Sequence, residues 1–196
     1  MIKSFDFFFD FISPYSYLAH KQIRIIENEN KIKINYMPIF LGGLHNLLNI
    51  KANIYIPSKA KYMIKDCKLC AEKLKIDFRF NSFFPIKSLE LMRGVLQAGK
   101  ESKTNKYIDK IFDGIWKDGL NLNNQSIINK ILENLKINPE NFRLNISKQI
   151  IKDELTKRTN DALLKGIFGA PSFIINNKMF WGQDRLEFVL NEAQKN

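Results

Sequence analysis

The chain has 196 residues, 45% of them hydrophobic and 16 of them phenylalanine, which is enough apolar surface for one compact core. Its apolar runs fall far short of the ~20 residues of a membrane-spanning helix, and residues 1–4 lack a secretory pattern, so we expect a cytoplasmic protein without membrane contact. The net charge of +11 favours anionic partners, but no basic block or aromatic nucleic-acid motif accompanies it, so we expect no nucleic acid.

The first part of the chain predicts a β-α-β unit. Residues 3–9 are rich in β-forming residues, although Asp6 interrupts the apolar run. Ser13-Pro14 then begins a helical stretch that ends near residues 28–30. Residues 31–37 alternate polar and apolar side chains, which predicts a second strand parallel to the first.

The middle of the chain, from Leu41 to about Gly166, has a helical character. Pro57 opens a helix over residues 58–74, and the polar residue and proline of Asn138-Pro139 predict another helix start. Further amphipathic stretches lie at residues 88–98, 104–117, 125–135 and 147–165. This segment therefore predicts a large helical insertion between strands.

The end of the chain predicts a β-hairpin followed by a helix. Its strands cover residues 171–175 and 178–181, Asn176-Asn177 forms the turn, and the helix covers residues 184–193. A β-α-β unit, an insertion and a β-β-α unit follow one another in the thioredoxin order. We predict an α/β, thioredoxin-like fold with an all-helical insertion, divided into residues 1–42, 43–165 and 166–196.

Ser13 is the first candidate functional residue. It lies at the first turn of a helix, where backbone N–H groups and the helix dipole favour an anion. Disulfide oxidoreductases carry a low-pKa cysteine in a Cys-X-X-Cys turn at this position, whereas Ser13 and Ser16 stand here. Exchange by the protein's own thiols is therefore excluded at this turn, but a serine hydroxyl can donate a hydrogen bond to an incoming thiolate. A plain N-cap is the alternative role of Ser13.

Two further segments would complete a site. Pro171 lies just before a strand, and in the thioredoxin arrangement a proline at this place has a cis peptide bond and faces the position of Ser13. It would leave the N–H and carbonyl of Ala170 free to bind an extended peptide, and an ordinary trans proline is the alternative. Gln183 and Asp184, at a helix start, suit a carboxylate and an α-ammonium group, as in the γ-glutamyl end of glutathione, unless they only cap the helix.

Five segments of the chain carry a more specific pattern. They read FFFDFISPYSYLA (7–19), PSKAKYM (57–63), FPIKSL (84–89), GIFGAP (166–171) and WGQDRL (181–186). In these segments, and in their order, the chain resembles 2-hydroxychromene-2-carboxylate isomerases and kappa-class glutathione transferases. The resemblance spans nearly the whole chain and implies a DsbA-like thioredoxin fold with a helical insertion.

The resemblance also implies an activity, a cofactor and a set of binding residues. The activity is a glutathione-dependent isomerisation of 2-hydroxychromene-2-carboxylate to trans-o-hydroxybenzylidenepyruvate, on a small aromatic carboxylate, by reversible thiolate addition in a homodimer. Ser13 would activate the sulfur, Ala170 would bind the cysteinyl backbone, and Lys59 would lie near the glycine end. The implied cofactor-binding residues are Ser13, Pro14, Tyr15, Asn53, Lys59, Ala170, Pro171, Gln183 and Asp184. A departure from the family pattern at residues 49–53 leaves Asn49 open beside Asn53.

Other readings of the same residues remain open. A kappa-class glutathione transferase would share the fold, the cofactor and Ser13, whereas a non-catalytic module would use the groove beside Pro171 only to bind peptides. Cys67 and Cys70 lie inside a predicted helix, so we expect buried thiols and neither redox chemistry nor zinc. The chain has only two histidines, His20 and His45, so we expect no metal site. We expect aromatic residues of the insertion to supply apolar walls for the substrate.

Overall fold

The computed structural model describes residues 4–29 and 32–195, which form a four-stranded mixed sheet surrounded by helices. The strands are β1 (Ser4–Phe9), β2 (Lys33–Pro38), β3 (Ser172–Ile175) and β4 (Lys178–Trp181). Their order in the sheet is β2-β1-β3-β4, with β1 and β2 parallel and the other neighbours antiparallel. The chain thus leaves the sheet after β2 and returns to it at β3.

The helices follow the predicted order along the chain, and the one at residues 41–47 was not predicted as a separate element. They are α1 (Pro14–Asn28), α2 (Leu41–Leu47), α3 (Pro57–Leu74), α4 (Ser88–Lys100), α5 (Thr104–Trp116), α6 (Gln125–Asn134), α7 (Pro139–Ile146), α8 (Gln149–Leu164) and α9 (Leu186–Gln194). None of the helices in the described ranges is long and apolar enough to cross a membrane.

Element boundaries differ from the predicted ones in a few places. The last helix begins at Leu186 instead of Asp184, because Gly182 adopts a positive φ of 113° and a short 3-10 helix, Gln183–Arg185, intervenes. The predicted strand starts at positions 3 and 31 lie outside the described residues. The division into three segments at residues 42/43 and 165/166 stays a prediction.

Strand β1 supplies the core on both faces of the sheet. Phe5, Phe7 and Phe9 alternate along the strand and pack into the main core with α1, α9 and most of the insertion. Phe8 points to the other face and packs in a smaller core with residues of α2 and α8. The ring of Phe7 stacks on Phe173 of β3 with centroids 5.5 Å apart. Since each buried aromatic side chain removes about 150–250 Å² from water, these rings fix the position of β1 firmly.

Helix α5 connects the insertion to the loop that follows β1. The buried indole of Trp116 donates a hydrogen bond to the carbonyl of Phe11 at 2.8 Å. The ring of Phe112 packs edge-on against Phe11 with centroids 4.8 Å apart. The loop that carries Ser13 is therefore held by the insertion as well as by the sheet.

Candidate active site

Ser13 caps the first helix. It is the N-cap of α1, in an extended conformation, and its Oγ accepts a hydrogen bond from the backbone N–H of Ser16 at 3.1 Å. Pro14 occupies the first helical position, where a missing N–H costs nothing. The capping role is therefore present, and it uses the oxygen of Ser13 as an acceptor while leaving the hydroxyl hydrogen for another partner.

The second partner of the Ser13 hydroxyl is the residue before the cis proline. Ser13 Oγ donates to the carbonyl of Ala170 at 2.9 Å. The Ala170–Pro171 peptide bond is cis, as predicted, and this carbonyl lies outside the β1-β3 ladder, which includes Ser172 but not Ala170. The carbonyl is therefore unpaired by the sheet, as predicted, but it already has one donor, the Ser13 hydroxyl, which an incoming peptide N–H would have to replace.

Backbone N–H groups beside Ser13 are the next feature of the site. Those of Tyr15 and Ala170 donate to no group in the described part of the chain. The N–H of Tyr15 belongs to the first turn of α1, where no preceding helical carbonyl is available. Both N–H groups belong to residues close to Ser13, and N–H groups of this kind suit an anion or an extended peptide backbone.

The side chain of Tyr15 is engaged with α3. Its hydroxyl donates to Asp66 Oδ2 at 2.8 Å. Burial and the hydrogen bond with Asp66 both raise the pKa of Tyr15, so the phenol keeps its proton at neutral pH. Because this proton is committed to Asp66, the backbone N–H of Tyr15 is the group that remains for a ligand.

Gln183 and Asp184 lie next to the cis proline. The N–H of Gly182 donates to the carbonyl of Pro171 at 3.0 Å, which joins the two loops. The Gln183 amide bridges α1 and α3: Oε1 accepts a long bond of 3.4 Å from Gln22, and Nε2 donates to the sulfur of Cys70 at 3.3 Å. The Asp184 carboxylate is 59% exposed and forms an ion pair with Arg185 at 3.0 Å, so a cationic ligand would share it with that guanidinium or replace it.

The cysteines lie within α3, as the sequence predicted, but only one of them is buried. Burial raises the pKa of Cys67 to about 12. Cys70 is half-buried, which corrects the expectation of two buried thiols, because α3 turns its sulfur towards Gln183. Burial and the carboxylates of Asp66 and Asp184 raise the pKa of Cys70. Neither thiol is therefore an effective nucleophile at neutral pH.

The residues assigned to the glycine end lie at the start of α3 and in the segment before it. Lys59 is in the first turn of that helix, about two turns or ~10 Å along its axis before Asp66. Asn53 begins a short 3-10 helix, and Asn49 precedes it with a positive φ of 54°. All three side chains are exposed, and none of them makes a hydrogen bond to the groups around Ser13 within the described residues.

An exposed aromatic pair that the sequence analysis did not single out lies beside the cis proline. Phe168 and Trp181 are 37% and 53% exposed, and their ring centroids are 4.8 Å apart. The indole covers Gly169, where a Cβ would come within 2.7 Å of Nε1. This aromatic surface belongs to the β3-β4 part of the chain, not to the insertion, where we expected apolar walls.

The histidines do not contribute to the candidate site. His20, on α1, is bound to Asp109 of α5 at 2.7 Å, and His45 lies on α2. Burial lowers the pKa of both. Among residues 4–29 and 32–195, no three His, Cys, Asp or Glu side chains are grouped as metal ligands would be.

Comparisons with known proteins agree with the geometry. The family model described as a DSBA-like thioredoxin domain matches residues 4–194. A 2-hydroxychromene-2-carboxylate isomerase from Pseudomonas sp. (strain C18) is 28% identical over 195 residues, covering 98% of this chain and 91% of that protein. Glutathione S-transferase kappa 2 from Caenorhabditis elegans is 28% identical over 202 residues, covering 95% and 90%. A solved structure of 2-hydroxychromene-2-carboxylate isomerase superposes with a TM-score of 0.88 at 26% identity, covering 97% and 93%. The predicted fold and the resemblance carried by the five motifs are both confirmed.

Proposed function

The chain belongs to the family of DSBA-like thioredoxin domains, and on that premise we propose that it is a glutathione-dependent isomerase of the 2-hydroxychromene-2-carboxylate type. The similarity to such isomerases over nearly the full length of both chains supports the reaction class. The observation that carries the proposal is the Ser13 hydroxyl, which caps α1 and bonds to Ala170 beside the cis proline. Serine at this position leaves the protein without a thiol in the turn, so the reactive sulfur must come from a bound molecule.

The groups around Ser13 fit a thiol-containing tripeptide. The N–H and carbonyl of Ala170 would pair with an extended cysteinyl backbone. The unpaired N–H of Tyr15, at the start of α1, would stabilise a negative sulfur. Gln183 and Asp184 would bind the carboxylate and the ammonium of the γ-glutamyl group. Glutathione bound in this way would supply a thiolate for reversible addition to a conjugated double bond of the substrate.

Ser13 must exchange one hydrogen-bond partner to act on the sulfur. Its single hydroxyl hydrogen is donated to Ala170, and a cysteinyl N–H that takes over this carbonyl would release it. Ser13 would then donate to the sulfur while still accepting from Ser16. A charge-assisted hydrogen bond contributes ~1.5–3 kcal/mol, which corresponds to lowering the thiol pKa by about 1–2 units.

Other residues would complete the cofactor and substrate sites. Lys59 would neutralise the glycine carboxylate, and Asn53, with Asn49 as the alternative, would lie near the same end. Phe168 and Trp181 would contact the aromatic ring of the substrate, since such ring pairs add about 0.5–1.5 kcal/mol. The net charge of +11 favours both anionic molecules. The homodimer and the cytoplasmic location are further proposals, and they rest on the family resemblance.

Titration of glutathione against the protein tests the proposal directly. The thiolate has its own ultraviolet absorbance, so the pKa of the bound thiol can be followed with pH. We expect the wild type to lower it by about 1–2 units and Ser13→Ala to lose this effect. Asn124→Ala is the matched control, because Asn124 caps α6 through the N–H of Ser126, on a helix that carries none of the proposed ligand-binding residues. If the wild type neither binds glutathione nor lowers its thiol pKa, the proposal is wrong.

A kappa-class glutathione transferase is the second candidate function, favoured by the similarity to the Caenorhabditis elegans protein. Both functions use Ser13 in the same way, so only turnover separates them. Formation of the trans product without loss of free thiol supports the isomerase. Stoichiometric loss of thiol with an electrophile supports the transferase. Peptide binding that survives Ser13→Ala, without any thiolate signal, would instead indicate a non-catalytic module.

A further inference from the structure

Asp10 is a fully buried carboxylate at the end of β1, close to Ser13, with no part in the site described above. Its side chain is 0% exposed. Oδ1 accepts a hydrogen bond from the N–H of Ile12 at 3.0 Å, and Oδ2 accepts one from the N–H of Leu41 at 2.8 Å. The hydroxyl of Ser88 lies nearby and opposes the rise that burial causes in the pKa of Asp10. Burying a charge costs free energy unless hydrogen-bond donors such as these stabilise it, so the question is what the Asp10 carboxylate does in this loop.

Asp10 holds most of the loop between β1 and Ser13. Its backbone carbonyl accepts from the N–H of Ser13 at 3.1 Å, and its carboxylate accepts from the N–H of Ile12. The remaining N–H of the loop, that of Phe11, donates to the sulfur of Met92 at 3.4 Å. The conformation of the loop, and with it the direction of the Ser13 hydroxyl, therefore depends on Asp10.

The same carboxylate joins this loop to the start of α2 and lies near the start of α4. Leu41 and Ser88 are the first residues of α2 and α4. The N-cap residues of these helices, Phe40 and Lys87, carry no side-chain acceptor, so they cannot cap the helices themselves. An ionised carboxylate accepts from both backbone N–H groups, those of Ile12 and Leu41, whereas a protonated acid or an amide would place a hydrogen against one of them if it turned that way.

We infer that Asp10 is a positioning residue, whose ionised carboxylate fixes the loop that aims the Ser13 hydroxyl at the cofactor sulfur. The inference rests on the proposed function, because it concerns the same hydroxyl and the same thiol. Asp10 acts through the backbone of its own loop and does not touch the cofactor. Its replacement should therefore change the state of the bound thiol, and not only the stability of the fold.

If Asp10 positions Ser13, cofactor binding should depend on the protonation state of Asp10. Burial raises the pKa of Asp10 to about 6, against the opposing effect of the bonds from Ile12, Leu41 and Ser88. These groups, from the loop, α2 and α4, are uncharged donors, and no charged side chain in the described ranges contributes to the shift. Cofactor binding should therefore weaken below about pH 6, where Asp10 takes up a proton.

The decisive experiment compares the glutathione affinity and the bound-thiol pKa of wild type, Asp10→Asn and Thr159→Val. Thr159 is a matched control: it is buried and accepts the N–H of Phe40 at 3.0 Å, so it holds the start of α2 without touching the Ser13 loop. We expect Asp10→Asn to bring the thiol pKa back towards its free value and to weaken binding by on the order of 10-fold or more, the loss that corresponds to one charge-assisted hydrogen bond. Thr159→Val should keep the wild-type thiol pKa.

The possible results separate the two proposals. If the wild type lowers the thiol pKa and folded Asp10→Asn does so equally, Asp10 is not a positioning residue and the proposed function stands. The inference is also wrong if Thr159→Val loses the effect to the same extent, because the cause is then the position of α2. If the wild type itself leaves the thiol unchanged, the proposed function fails and the inference fails with it.

A second variant keeps the inference testable if Asp10→Asn does not fold. Ser88→Ala removes one donor that lowers the pKa of Asp10, so that pKa should rise. The pH at which glutathione binding weakens should then move upward in Ser88→Ala relative to wild type. If the pH at which binding weakens does not move in Ser88→Ala, the group whose protonation weakens binding is not Asp10, and the inference is wrong.

Discussion

Replacing Ser13 by alanine should destabilise the fold by about twice the cost of an ordinary helix cap. The substitution removes the oxygen that accepts from Ser16 at 3.1 Å and the hydroxyl that donates to Ala170 at 2.9 Å. The first bond stabilises the start of α1, and the second joins α1 to the loop before β3.

The expected cost can be divided between these two bonds. Loss of an N-cap side chain costs about 1 kcal/mol. The carbonyl of Ala170 is then left without its donor in a half-buried position, which costs about 1 kcal/mol more, at the low end of the range for buried acceptors. The sum of about 2 kcal/mol corresponds to a fall in Tm of about 4–8 °C for a chain of this length.

Urea unfolding of wild type, Ser13→Ala and Asn124→Ala measures how much each of the two Ser13 hydrogen bonds contributes to the free energy of unfolding. Asn124→Ala removes a capping bond, at 3.0 Å, and an exposed bond from the Ser126 hydroxyl that water can replace, so it should cost about 1 kcal/mol. If Ser13→Ala and Asn124→Ala cost the same, the bond to Ala170 contributes nothing to stability. Our account of the hydroxyl as a link between the two halves of the sheet domain would then be refuted.

Three further predictions concern the core, the pH dependence and the substrate surface. Asp10 has a pKa of about 6 in the fold, against 3.8 for an ordinary aspartate, so the folded protein binds a proton at this group more tightly than the unfolded chain does. The free energy of unfolding of wild type relative to Asp10→Asn should therefore fall by about 3 kcal/mol between pH 3 and pH 7. Urea titrations at these pH values measure it, and a difference that does not change with pH would contradict the prediction. Gly94→Ala should cost about 3 kcal/mol in thermal unfolding, because a Cβ would lie 2.1 Å from the hydroxyl of the buried Tyr107. Gly99→Ala in the same helix should change stability by less than ~1 kcal/mol. Trp181→Ala should raise the KM for the aromatic substrate by about 2- to 10-fold without changing glutathione affinity, and an unchanged KM would remove the aromatic pair from the substrate site.

Local sequence signals predicted the elements that frame the site. Ser13 followed by Pro14 indicates an N-cap and a first helical residue, and this pattern depends only on neighbouring residues. Asn176 and Asn177 both adopt positive φ values, 49° and 59°, which asparagine tolerates, so the β3-β4 turn was also predictable. The order of strands and helices follows from such signals, and from it the thioredoxin-like fold.

The contacts that decide how the site works were not predictable in this way. In the sequence, Asp10 only interrupts an apolar run, and its bond to Leu41 depends on where α2 packs. Cys70 reads as one of two buried helical thiols, yet the packing of α3 brings it to Gln183. The Ala170 carbonyl was expected to be free until the fold placed Ser13 against it.

The sequence by itself therefore determined the elements, their order and the position of a serine at the start of the first helix. Only the tertiary structure decided what that serine touches. The reason is physical: caps and turns depend on residues a few positions apart, whereas Ser13 and Ala170 are separated by 157 positions. Their contact exists because the phenylalanines of β1 pack on both faces of the sheet and bring β3 alongside.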